Sequence, residues 1–577
     1  CVPVQVINST NDVYTDFSQQ QAEESRDPRA EIQRRADAVI GDALPWITAQ
    51  KDRFFAWVHL FDPHLPYDPP APYDSRYAGR LYDGEIAYTD EAVGRLLAGL
   101  EAAGHGRDTL VIVTADHGES LGDHGERRHS FFIYDSTIRV PLIFWAPDLL
   151  PAAHVVRGQA SVVSILPTTL ALLGIDDPAA DSRDGSDLRE LIAHPDTAGT
   201  PAYSESLYPM FHFGWSELRA LRAEGYKYVA APRPELYDLR SDPQEAKNLV
   251  SVQPQLAATM RDELEALVGD DDPSGLGGGL SLIDPQSLDR LRRLGYLAGR
   301  KKPGAGQRVD PKDKVEIFES FQDGIEEVVA TLRARDWEEA TSLLIDLDHL
   351  VPDHFETYYQ RGRLALLQGN AAAAVESLKR ALSLSPAFTL TYVELARAYR
   401  AAHQPRKAEN LLRQAMEAFP DTATFPMLLG SYDHQDGRLD EALEAYRVAR
   451  SLAPHQPALL NNMAQLYLMR KEPREALPLM ETLVEVTPDD AEAWSHLGLI
   501  LGGLGEQERA ETAFRQALLL QPDEASLHYG LGMVLLRQGQ RQEATEAFKA
   551  ALRVDPSFAA ARAELDKLGG SGTGPRR

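Results

Sequence analysis

Asp116 and His117 stand side by side at the end of a β-branched apolar run, Leu110-Val111-Ile112-Val113, within TLVIVTADHGESLGDHGE (109–126). The run reads as a buried parallel strand. In open α/β sheets ligands bind beyond the carboxyl ends of strands, so both side chains are expected to aim into a site. Carboxylate oxygen and imidazole nitrogen are common donors to divalent ions, and Gly118 lets the backbone turn close to whatever they hold. The same three residues also suit a polar strand-to-loop turn that holds nothing.

The elements around this pair alternate. Strands are predicted at 54–61, 109–114 and 140–145, and helices at 30–49, 84–103 and 161–173. That order argues an α/β domain with a mostly parallel sheet covered by helices. Short turn-separated strands at 217–221, 226–231 and 235–239, with a helix at 255–267 packed on them, suggest a small antiparallel subdomain over about 200–299. RKKPGAGQRVDPK (300–312) is rich in Gly, Pro and charge and reads as a linker, placed at 300–313 between a domain at 1–299 and another at 314–577.

The second domain is periodic. Pro352, Pro386, Pro420, Pro454, Pro488, Pro522 and Pro556 follow one another at intervals of 34 residues. Twelve residues before each stands an alanine, from Ala340 to Ala544. A 34-residue period with helix-forming sequence between the prolines is the tetratricopeptide (TPR) pattern, an all-α solenoid. The frame gives repeats at 321–354, 355–388, 389–422, 423–456, 457–490, 491–524 and 525–558, with a capping helix at 559–568. Gly324 and Glu327 make the first repeat atypical. Polar first-helix residues, Arg397, Arg400, Asn461 and Gln465, suit a groove for an extended peptide or a merely solvated face.

VHLFDPHLPYDPP (58–70), YDGEIAYTDEAVGRLL (82–97), VTADHGESLGDHGE (113–126), RVPLI (139–143) and ELYDLRSDPQEAKNL (235–249) occur in the order found in sulfatases. Over residues 1–299 the chain resembles that family of the alkaline-phosphatase-like superfamily. The resemblance implies a metal-dependent hydrolase of sulfate esters, on a small molecule or a glycan, with Asp116 and His117 holding one divalent ion. Calcium is usual in the family; the imidazole leaves manganese or zinc open. His64 matches a histidine that contacts the anion or leaving group, with Pro63 and Pro66 stiffening its loop. His129 falls where many sulfatases carry an anion-binding lysine, and Arg128 is the alternative one residue away; either supplies a donor to an oxyanion. A solvated loop is the plain reading of both. His124, in Gly-Asp-His-Gly, reads as a structural residue or as one that supports the ligands from behind, not as a ligand. Tyr208, His212 and Trp215 either line a pocket for the leaving group or form a satellite apolar cluster.

The family nucleophile is a modified Cys (formylglycine) or Ser in a C/S-x-P-x-R motif. Cys1-Val2-Pro3-Val4-Gln5 has Gln5 where Arg is required and continues as strand-like sequence, so the likeness is rejected. The nucleophile is expected upstream of the sequence as it stands, and the segment alone is expected to be inactive as an esterase. Asn8-Ser9-Thr10 has the form of a glycosylation acceptor and carries little weight.

Composition sets the outer bounds. The 577 residues are 43% hydrophobic and 25% charged, ordinary for globular domains. A net charge of -28 argues against nucleic acid or an anionic membrane as partner, and a single cysteine excludes an internal disulfide framework. No apolar run approaches the roughly 18 residues that span a bilayer. Family likeness implies export or a periplasmic location, with no targeting segment in view. Two other readings use the same residues: an interaction scaffold in which the repeats do the work beside a non-catalytic hydrolase remnant, and phosphodiester or phosphonate hydrolysis or phosphoethanolamine transfer on the same fold. A protein or peptide is the expected occupant of the repeat groove.

Overall fold

The computed structural model describes residues 4–7, 35–180, 184–268 and 309–570. Cys1, the 8–10 tripeptide and most of the predicted linker lie outside the described residues. Described residues up to Ala402 form one compact unit and those from His403 onward a second.

The first unit opens with β1 (Val4–Ile7), which pairs in parallel with β2 (Phe55–Val58). Helix α1 (Ala36–Ala49) runs between them and packs on α2 (Leu81–Ala102). Val39, Ala43, Ile47 and Leu100 are buried where the two helices meet. β3 (Val111–Thr114) then carries Asp116 and His117 just beyond its end.

Here the structure corrects the sequence reading. β3 pairs antiparallel with β4 (Leu142–Trp145), Val111 opposite Trp145, and Val111 to Val113 are half-buried and Thr114 exposed rather than buried. Parallel strands need a long crossover, usually helical. The chain between β3 and β4 holds only a short 3-10 turn and a single helical turn at Asp135–Ile138, so it returns as a reversal. Ile143 of β4 is 54% exposed, so that face of the pair is uncovered.

After helix α3 (Ile165–Leu173) comes a four-stranded antiparallel sheet, β5 (Ala202–Ser206), β6 (Leu218–Ala223), β7 (Tyr226–Ala230) and β8 (Glu235–Asp238). Three of its strands were legible as short apolar runs; β5, AYSES, has no such pattern. Leu221, Tyr228 and Leu236 bury one face under α4 (Pro254–Val268), which contributes Ala257, Met260 and Leu264. The other face packs Leu218, Val229 and Tyr237 against Phe131 to Tyr134 and against Phe318.

Val309 to Asp313, at the end of the Gly- and Pro-rich segment, lies along this sheet. Ser216 donates its backbone N–H to the Val309 carbonyl at 2.9 Å, and Arg233 pairs with Asp313 at 2.6 Å.

The repeat helices follow the 34-residue frame. α5 (Val315–Ala334) and α6 (Trp337–Leu350), α7 (Phe355–Leu367) and α8 (Ala371–Leu384), and α9 (Thr389–Ala401) complete the first unit. The second unit comprises α10 (Pro405–Ala418), α11 (Thr424–Gln435), α12 (Leu439–Leu452), α13 (Pro457–Met469), α14 (Pro473–Val486), α15 (Ala491–Leu504), α16 (Gln507–Leu520), α17 (Ala525–Arg537), α18 (Arg541–Val554) and α19 (Ala559–Gly570). Each ladder proline falls two residues past the end of a second helix, where it cannot continue the helix. All seven ladder alanines are fully buried, as a close helix crossing requires. In the atypical first repeat, a Cβ on Gly324 would lie 2.7 Å from the Leu347 side chain, so the small residue is what lets α6 approach. Gly498 plays the same part under Phe514, at 2.9 Å.

Candidate active site

Three separate loops bring histidines together. His64 comes from the segment after β2, His117 from the turn after β3, and His129 from the loop that precedes the helical turn Asp135–Ile138. The rings of His117 and His129 stack with centroids 3.9 Å apart. His64 lies 5.4 Å from His129 and 6.4 Å from His117, edge-on to both.

Each loop is held from beneath. Asp62 accepts the N–H of Ala36 at the start of α1 (3.0 Å), and Asp68 donates its N–H to Glu85 on α2 (2.8 Å), so both ends of the His64 loop are pinned to helices. Glu85 is buried, and burial pushes its carboxyl up to about 7. Gly118 donates its N–H to Thr137 at 2.7 Å. Its lack of a side chain serves that approach, because a Cβ there would sit 2.3 Å from the Ser136 carbonyl oxygen. The sequence reading assigned this glycine to the ligand side; the structure assigns it to the turn beneath.

A shared feature fixes which ring atoms are left for chemistry. His64 Nδ1 is 2.8 Å from the Leu65 carbonyl and His117 Nδ1 is 2.9 Å from the Gly118 carbonyl. His129 Nδ1 is 3.3 Å from the buried Glu119 carboxylate. A carbonyl only accepts, so Nδ1 carries the proton in the first two, and Nε2 is left as a donor atom for a metal or a reacting group. Burial lowers the pKa of His64 below its usual value. Burial works against the charge of Glu119, but hydrogen bonding and charge from His129 outweigh it and leave that carboxyl below the usual range. Tyr67, from the His64 loop, is raised by burial and by the same Glu119. Neither Glu119 nor Tyr67 was singled out from sequence, although both sit within the motifs that identify the site.

Asp116 extends into solvent, with its side chain 82% exposed, and its Oδ2 is 3.7 Å from His117 Nε2. A carboxylate oxygen and an imidazole nitrogen aimed at the same space, with the second ring nitrogen tied to a backbone carbonyl, fit one side of a divalent-ion site. Among the described residues no group of three or more His, Cys, Asp or Glu gathers as a full ligand set.

Arg128 is placed elsewhere. Its guanidinium reaches Asp323 (3.3 Å) and Glu326 (2.9 Å) on α5, while the neighbouring His129 turns to Glu119. His124 stacks on Tyr134 at 3.5 Å and contacts the Gln244 carbonyl, a structural position. The aromatic cluster is not a separate lining: Tyr208 stacks on His212 and Phe213 on Trp215, and the group packs against Phe318 and Phe321 of α5 and Phe355 of α7.

Residues 8–175 match the sulfatase family model, and segments between 355 and 565 match tetratricopeptide repeat models. The chain joins a sulfatase domain to tetratricopeptide repeats. The sulfatase domain is similar to the ulvan-active sulfatase of Formosa agariphila, 29% identical over 301 residues, which cover 46% of this chain and 56% of the relative. It is 33% identical over 207 residues to the multifunctional alkaline phosphatase superfamily protein PehA of Trinickia caryophylli (31% and 38% covered), and 27% over 235 residues to human arylsulfatase K (37% and 42%). The chain thus spans about half the length, or less, of these relatives. Among solved structures, BT4656 in complex with D-glucosamine-2-N,6-O-disulfate shares 18% identity at a TM-score of 0.36, covering 41% of this chain and 70% of that one. YrrB, a TPR protein with a peptide-binding site, shares 20% at a TM-score of 0.31, covering 33% and 98%.

Proposed function

We propose that the sulfatase domain hydrolyses sulfate esters with the help of one divalent ion, calcium in first place, held in part by Asp116 and His117. The observation that carries this reading is the meeting of His64, His117 and His129 beside the exposed Asp116 carboxylate, each ring with Nδ1 engaged. A bound ion would supply Lewis-acid polarisation of the ester oxygens. The chain's own groups do the rest. His117 Nε2 and Asp116 would hold the ion, while His64 and His129 offer Nε2 to the sulfate oxygens or the leaving group. Glu119 holds the His129 ring in place through Nδ1, as a carboxylate partner does for a working imidazole. The repeats are proposed to bind a protein or peptide segment.

Phosphate or phosphonate esters form the second reading, favoured by the similarity to the multifunctional alkaline phosphatase superfamily protein of Trinickia caryophylli. Assay of the full-length gene product, with the nucleophile segment that the sequence reading expects, on matched aryl sulfates and aryl phosphates decides between them. Sulfate turnover that falls about a hundredfold or more in His64→Ala and His129→Ala supports the proposal. Preference for phosphate selects the second reading. Absence of any turnover overturns both in favour of an interaction scaffold.

A further inference from the structure

The loop that carries His129 is braced by the first repeat helix. Arg127 donates its backbone N–H (2.7 Å) and its Nε (3.0 Å) to Glu319 of α5, and its Nη2 reaches Asp323 at 2.5 Å. Arg128 takes Asp323 and Glu326 from the same helix face. Glu319 is not a rim residue: its side chain is 7% exposed, so its carboxylate is a desolvated acceptor committed to this loop. Two residues past His129, Phe131 stacks on Phe318 of α5 at 4.3 Å. Between these anchors Ser130 holds a φ of +86°, an uncommon conformation for a residue with a side chain, and one that persists only where its surroundings dictate it.

We propose that Glu319 is a positioning residue for the hydrolase site, so that helix α5 of the repeat region sets where the His129 imidazole stands. The inference rests on the reading of His129 as a site residue. Without the Glu319 carboxylate, Arg127 loses the acceptor of its backbone N–H and of its Nε and keeps only Asp323, so the loop is less firmly fixed on the side that leads into His129. His129 then no longer stacks steadily on His117 or reaches Glu119. The loop stays folded, because the Glu126 carboxyl accepts the N–H groups of Phe131 and Phe132 from inside. The effect therefore falls on the placement of one ring, and through it on the binding of the ester.

The test compares Glu319→Ala, Glu319→Gln and, as a control on the same helix, the exposed Glu327→Ala in the intact protein. Carbethoxylation of individual histidines by diethyl pyrocarbonate, read by mass spectrometry, reports on His129 without any assay of activity. The proposal expects His129 labelling to rise at least threefold in Glu319→Ala, with His64 unchanged, partial recovery in Glu319→Gln and no change in Glu327→Ala. With a sulfate ester, KM should rise at least fivefold while kcat changes less than twofold. If Glu319→Ala does not fold, Arg127→Met, which takes the guanidinium away from Glu319, gives the same readout. Unchanged His129 labelling in the folded variants overturns the proposal. Should the wild type hydrolyse no ester, the functional reading fails while the labelling still decides the positioning.

Discussion

Gly118 donates its backbone N–H to the carbonyl of Thr137 at 2.7 Å, and this contact sets the height at which His117 leaves β3. A Cβ at Gly118 would meet the Ser136 carbonyl at 2.3 Å, and a backbone atom cannot swing aside. Gly118→Ala is therefore expected to cost about 1–3 kcal/mol of stability by overpacking and to displace His117. Chemical denaturation with metal analysis of the same variant checks this; wild-type stability and metal content together would refute it.

Beneath that turn lies a buried charge cluster. Lys227, fully buried on β7, places Nζ 2.7 Å from Glu245 and 3.3 Å from Asp135, the first residue of the turn that receives Gly118. Arg222 meets the other Asp135 oxygen at 3.3 Å. Removing the lysine leaves two carboxylates without their buried cation, so Lys227→Ala should destabilise the domain by about 3–5 kcal/mol. Hydrogen exchange along β6 and β7 is the sensitive measurement, and protection equal to wild type would contradict the role assigned here.

Glu126 gives a pH dependence of definite sign. Its side chain is fully buried, and burial pushes its pKa up to about 8 although two backbone N–H groups pull the other way. The folded state thus keeps a proton that the unfolded chain releases near pH 4.3. Stability from this group is greatest in acid, falls as pH rises from about 4.5 to about 8, and then levels off. Glu126→Gln should flatten that slope in denaturation midpoints taken at pH 5, 6.5 and 8. An equal slope in both proteins would show that Glu126 is not its source.

The repeats carry their own prediction. Phe514 fills the space left by Gly498 and Gly530, whose absent Cβ atoms would lie 2.9 and 2.4 Å from its ring. Phe514→Ala should cost about 3–5 kcal/mol in the helical unit. Trp494 is only partly buried and donates Nε1 to the Pro488 carbonyl at 2.9 Å, so Trp494→Ala should cost less. Helical circular dichroism melts that rank the two in the opposite order would refute this packing scheme.

Local pattern explains what could be read from the sequence. The ladder of prolines and alanines repeats because each repeat meets the same steric demand, and those alanines are all buried. Asp116 and His117 stood out because an apolar strand ends on them. The antiparallel partner of β3 was not legible, since a short apolar run carries no information about the direction of its neighbour. The fate of Arg128 was hidden for another reason: its partners lie almost two hundred residues away on a helix whose acidic face looks, in sequence, like any solvated one. Glu119 and Tyr67 escaped notice because burial, not spacing, gives them their role.

The central claim is that Asp116 and His117 together hold a divalent ion used in ester hydrolysis. Metal content per chain should be measured by plasma mass spectrometry on the intact protein, purified in calcium and then dialysed, beside Asp116→Ala and His117→Ala. Close to one ion per wild-type chain is expected, with its loss from both folded variants and loss of hydrolysis along with it. Equal occupancy in wild type and both variants would contradict it.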